Sequence, residues 1–157
     1  MNRVRQDVYL KPGEVYFGQG IGEVRTLLGS CVSITLWHRK SRLGGMCHFV
    51  LGSRGAGQGD GRYGDEAMEL LATAIRKSGT HLEDYEAGIF GGGNMFPTAG
   101  NSGFRVGEQN IAMARALARR YDLNVVHEDV GAYCYRHVTL QLTSGSMQVR
   151  STDVRGQ

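Results

Sequence analysis

Cys31 and His48, a thiol and an imidazole seventeen residues apart, are the pair in this chain best suited to nucleophilic chemistry. A free cysteine ionises near pH ~8.5, and the thiolate is the attacking species. A neighbouring histidine can lower that value, take the proton and return it to a departing group. Such a pair serves amide hydrolysis or acyl transfer. Gly29 and Ser30 stand immediately before the cysteine. The glycine lets the chain turn, so that consecutive backbone N–H groups can face a developing oxyanion. Thr26, through its hydroxyl or its backbone oxygen, is the candidate to orient His48. An isolated cysteine is ordinarily a small buried hydrophobe, so the chemistry depends on sulfur and ring sharing one face.

The elements around the pair predict that they do. Val32–Trp37 has the β-branched and aromatic residues and the period of two expected of a strand. A polar break, His38–Leu43, follows, and Gly44–Leu51 resumes strand character. Trp37 opposite Gly44 closes a hairpin with a six-residue loop. That register sets Ser33 opposite His48 and Cys31 opposite Val50. Cys31 and His48 become diagonal neighbours on one face, about 7–8 Å apart. A slip of one residue would separate them. Cys47 points the other way, as a core thiol with Phe49 and Leu51, which weighs against a metal site made from Cys47 and His48.

Elsewhere, short strands are expected within Val8–Gly18, broken at Lys11-Pro12-Gly13, and at Gly22–Leu28. Gly52–Gly64 holds six glycines and reads as a mobile surface loop. A helix over Asp65–Lys77 would bury Ala67, Leu70, Leu71, Ala74 and Ile75. Tyr85–Phe90 reads as a strand, Glu108–Tyr121 as a second helix with Ile111, Ala114, Leu117, Ala118 and Tyr121 inward, and Leu123–Glu128 as a strand. Val138–Leu142 and Met147–Arg150 make a terminal hairpin. Many strands and two helices without strict alternation predict an α+β layered domain. Its core is a mixed or antiparallel, sandwich-like sheet, with the two helices packed outside. The run Gly88–Phe96 lacks both the Walker ending and the dinucleotide spacing. Gly91, Gly92 and Asn94 are instead candidates for one wall of a substrate groove. His38 is expected to be solvated in a turn, His81 to cap a helix end, and His127 and His137 to pack in strands.

The 157 residues, 41% hydrophobic and 21% charged, suit a single soluble domain over 1–157, with its core at about 8–150 and a frayed tail from Ser151. A net charge of +3 without a basic stripe argues against a nucleic-acid partner. Three cysteines form no CxxC pair. The N-terminus lacks the apolar core of a signal peptide, and no run is long enough to span a bilayer. Free thiols without an export signal point to the cytoplasm.

Several blocks resemble those of the chemoreceptor glutamine deamidase (CheD) family. They are Thr26-Leu-Leu-Gly-Ser-Cys-Val-Ser-Ile34, Gly45-Met-Cys-His48, Arg62-Tyr-Gly-Asp65, Ile89-Phe-Gly-Gly-Gly-Asn-Met-Phe96, Val106-Gly-Glu-Gln-Asn110 and Glu128-Asp-Val-Gly131. Their order matches from about Glu14 to Arg150. The resemblance implies a cytoplasmic enzyme that converts selected glutamines of methyl-accepting chemotaxis receptors to glutamates, releasing ammonia and creating methylation sites. It implies no metal and no organic cofactor. Cys31 would be the nucleophile, His48 the general base and acid, and a threonine near Thr26 the third member. In some members that threonine stands six residues before the cysteine, where this chain has Arg25. Arg136 is the counterpart of an arginine that closes a polar run. A CheC-type phosphatase is an implied partner in some organisms. The alternatives are a non-catalytic adaptor that binds receptors or such a phosphatase, and a transglutaminase-like enzyme that traps an amine in place of water.

Overall fold

The structure, a computed structural model, describes residues 5–55, 57–97 and 101–155, with side chains from 105 onward in the last stretch. The described elements are β1 Arg5–Leu10, β2 Val15–Gly18, β3 Ile21–Leu28, β4 Val32–His38, β5 Leu43–Cys47, α1 Gly64–Lys77, β6 Glu86–Gly91, α2 Asn101–Arg120, β7 Asn124–Val130, β8 Cys134–Gln141 and β9 Met147–Asp153. The strands form two sheets, ordered β1-β3-β8-β9 and β2-β5-β4-β6-β7.

Burial patterns explain the layering. β4 and β6 are buried almost without interruption, as central strands covered on both faces must be. β3 and β8 alternate buried with more exposed positions, as strands covered on one face do. One core joins the five-stranded sheet to the helices, through Val32, Ile34, Leu36, Cys47, Phe49, Met68, Leu71, Ile111 and Leu117. The other lies between the sheets, through Leu10, Val24, Leu28, Trp37, Met46, Phe90, Val138 and Leu140. Helices, five-stranded sheet and four-stranded sheet therefore stack as three layers, in agreement with the expected α+β architecture.

Several boundaries move. α2 begins at Asn101, a full turn and more before Glu108. Gly103 and Gly107 are poor helix formers and mask that start. The α1 stripe is rotated: Met68 and Ala72 are buried while Leu70 is exposed. Leu51 is exposed too, so Cys47 packs with Phe49 alone of its two expected neighbours. The tail expected to fray from Ser151 stays in β9 to Asp153, because Tyr135 pairs with Thr152 and Cys134 with Asp153. The glycine loop after Gly52 is tied down: Glu66, buried in α1, holds Arg54 in two 3.0 Å contacts and accepts the Asp60 N–H.

Candidate active site

The β4–β5 hairpin adopts the expected register: Trp37 pairs with Gly44, Leu36 with Gly45 and Thr35 with Met46. β5 ends at Cys47, and the next contact is a bridge between Val32 and Phe49. His48 sits in the gap. Cys47 and Phe49 on either side enter the helix-side core, so alternation sends His48 to the inter-sheet side. There it meets Thr26 of β3, whose Oγ1 lies 2.7 Å from His48 Nδ1. Cys31, half-buried just ahead of β4, packs against the same inter-sheet core. Thiol and imidazole thus belong to one layer.

Hydrogen-bond chemistry fixes the histidine tautomer. Thr26 has one hydroxyl proton, and it goes to the Leu10 carbonyl at 2.9 Å. Toward His48 the hydroxyl can only accept, so Nδ1 carries the ring hydrogen and Nε2 keeps its lone pair. His48 Nε2 is buried and has no partner among the described residues. Arg25, at the position used by some members of the resembled family, is exposed and close to Glu23. Burial pushes the imidazole down to about 4, against a smaller opposing pull from the Leu10 carbonyl. Burial also raises the Cys31 thiol, while its own backbone N–H pulls the other way. The expectation that the histidine lowers the thiol value is therefore corrected. At neutral pH the pair rests as thiol and neutral imidazole, because desolvation penalises both charged forms.

The sequence profile of the family described as CheD chemotactic sensory transduction matches residues 51–151. A Pseudomonas fluorescens protein named probable chemoreceptor glutamine deamidase CheD is 45% identical over 148 residues, covering 92% of this chain and 84% of its own length. The chain belongs to the CheD family. A Chromobacterium violaceum member, named probable chemoreceptor glutamine deamidase CheD 1, is 40% identical over 149 residues, covering 92% of this chain and 77% of its own. A Thermococcus kodakarensis protein named probable chemoreceptor glutamine deamidase CheD is 35% identical over 126 residues, 78% of each chain.

In this CheD chain the second glycine run backs the Gly29–Cys31 segment. Gly92 N–H donates to the Cys31 carbonyl at 2.8 Å, and Gly93 N–H donates to the Gly29 carbonyl at 2.9 Å. Gly91 has φ +112°, and a Cβ there would strike the Cys31 carbonyl oxygen. Gly91, Gly92 and Asn94 are all buried. Asn94 caps its own turn by accepting the Phe96 N–H at 3.1 Å. Arg136 is buried between the sheets, donating to Asp129 at 3.0 Å and to the Gly91 carbonyl at 3.3 Å. Of the other histidines, His38 is half-buried and accepts the Ser41 N–H, and His81 makes no side-chain cap. Ser33, opposite His48 in register, carries the other buried polar atom without a partner among the described residues.

One residue of the site escaped the sequence reading. Asn110 of α2 is fully buried, and its amide nitrogen donates to the Ser30 carbonyl at 3.0 Å and the Val50 carbonyl at 2.9 Å. The signal was available: Gly107, Asn110, Ile111 and Ala114 fall at helical spacing, so a polar side chain stands in an apolar stripe. Buried polar groups have partners.

Proposed function

We propose that this chain is a cytoplasmic protein-glutamine glutaminase of chemotaxis, hydrolysing the side-chain amide of selected glutamines on methyl-accepting receptors. The observation that carries it is a neutral His48, oriented at Nδ1 by Thr26 with Nε2 free, in the same layer as the half-buried Cys31. The names of the relatives supply the substrate. As the Cys31 sulfur attacks the carboxamide carbon, its proton passes to His48 Nε2. The tetrahedral oxyanion faces the N–H groups of the Ser30–Cys31 segment. His48 then gives the proton to the amide nitrogen, the C–N bond breaks, and ammonia leaves a thioester. Water, losing a proton to Nε2, attacks the thioester, and the thiol leaves with that proton. The products are a glutamate and the original enzyme.

Gly91 and Gly92 lie against the Cys31 carbonyl, Asn94 follows them in the same run, and Leu51 and Phe96 are exposed apolar side chains. An amphipathic receptor helix presents matching apolar residues. The carboxylates produced would serve adaptation as methylation sites. A CheC-type phosphatase would be a second partner, tested by co-elution with the purified chain. The deciding experiment is mass spectrometry of receptor cytoplasmic domain incubated with wild type, Cys31→Ala and His48→Gln. Conversion of amide to acid at defined glutamines by wild type alone is the expected result. Conversion by Cys31→Ala would sink the reading, and incorporation of an added labelled amine would replace it with transamidation.

A further inference from the structure

The carbonyls of Gly29, Ser30 and Cys31 are all held, by Gly93 N–H, the Asn110 amide and Gly92 N–H respectively. The N–H groups of Ser30 and Cys31 meet no backbone acceptor among the described residues. In a trans peptide the C=O and the N–H point to opposite sides of one rigid plane. Anchoring the Ser30 oxygen therefore also aims the Cys31 N–H, which belongs to the same peptide unit. We propose that Asn110 is the positioning residue of the oxyanion site: it locks the Ser30–Cys31 peptide so that the Cys31 N–H faces the reacting carbonyl.

The geometry gives Asn110 both jobs that this requires. Its second amide hydrogen goes to Val50, which stands opposite Cys31 in the hairpin register and two residues beyond His48. One side chain thus ties the nucleophile segment to the stretch after β5 that carries the base. Both contacts are carbonyl oxygens, so only the amide nitrogen can make them, and the orientation of the amide follows from chemistry. The helix that delivers it is docked closely: a Cβ on Gly107 would lie 2.5 Å from the Gly92 oxygen and 2.9 Å from the Gly93 oxygen. Asn110 follows one turn later on the same face. Preorganised donors matter because they need no rearrangement as charge develops.

The proposal rests on the deamidase reading, and its test separates the two. Wild type, Asn110→Asp, Asn110→Ala and Cys31→Ala are compared for receptor deamidation, for affinity toward a glutamine-semialdehyde peptide, and for alkylation by iodoacetamide. The aldehyde forms a hemithioacetal whose oxygen sits in the oxyanion site, whereas alkylation makes no oxyanion. Folded Asn110 variants should lose about 100-fold in kcat and in aldehyde affinity, with KM and the pH profile of alkylation unchanged. Wild-type activity in a folded Asn110 variant overturns the proposal, and so does a parallel fall in alkylation, which would make Asn110 a packing residue. Deamidation surviving in Cys31→Ala fails the underlying reading instead. If neither variant folds, wild type decides: the Cys31 amide proton should move strongly downfield when the aldehyde binds, and no shift overturns the proposal.

Discussion

Thr26 has one proton to give and two polar neighbours, and this asymmetry sets up the chemistry of His48. Thr26→Val keeps the shape but removes the acceptor, leaving the Nδ1 hydrogen facing a methyl group. Burying an unpaired donor costs about 1–3 kcal/mol, and a ring free to turn loses its base at Nε2. Deamidation is expected to fall by about 10–100-fold, with Thr26→Ser restoring most of it, as steady-state rates and urea midpoints on the three proteins would establish. The same burial predicts the pH profile. With His48 held near 4, kcat/KM should stay level through pH ~6.5, where an ordinary histidine titrates, and fall only as pH approaches 4. Alkylation of Cys31 should keep rising into the alkaline range, since burial raises the thiol. An alkylation plateau already present in acid would mean a preformed ion pair and would contradict this account. Cys31 and His48 were legible in the sequence because few side chains share their chemistry. Asn110 was not singled out, because its role depends on a carbonyl 80 residues away.

At the level of elements, the hairpin could be read in advance because its register follows from local rules: a polar six-residue break between two alternating runs. The pairing of β1 with β3 is parallel and that of β3 with β8 joins distant segments, and no local signal specifies either. α2 shows the same limit. Its first turns contain glycines, which propensity counts against a helix, yet Gly107 is there for close approach to Gly92 and Gly93. Two effects therefore compete in Gly107→Ala. Propensity alone would stabilise the helix by about 1 kcal/mol. A Cβ 2.5 Å from the Gly92 oxygen must push helix and strand end apart, and overpacking of this kind costs roughly 1–3 kcal/mol. Backbone contacts cannot yield as a flexible side chain does, so the variant should be less stable overall. Because the displaced helix carries Asn110, activity should fall further than stability. Chemical denaturation beside deamidation rates tests both parts, and a more stable, fully active variant would show that the helix has room to move.

For the molecule as a whole, the three layers meet at one shared sheet, and polar ties cross the inter-sheet layer at Thr26–His48 and at Arg136. The first tie makes stability depend on pH. In the unfolded chain His48 takes up a proton near pH 6.5, and in the folded chain only near 4. Between those values the unfolded state binds more protons, so acid favours unfolding. The contribution is fully present above pH ~6.5, declines as pH falls, and is exhausted near 4, for a total of about 3 kcal/mol. Half-buried Asp60 and exposed Asp153, each held near 2 by a neighbouring arginine, release their share at more acid values. Comparison with His48→Leu isolates the histidine, since every other titrating group is common to both proteins. Urea unfolding at a series of pH values from 7 to 4 should show wild type losing about 3 kcal/mol more than the variant. Parallel curves would mean that His48 takes up its proton in the folded protein as readily as in water, and the neutral, Thr26-oriented imidazole would have to be given up.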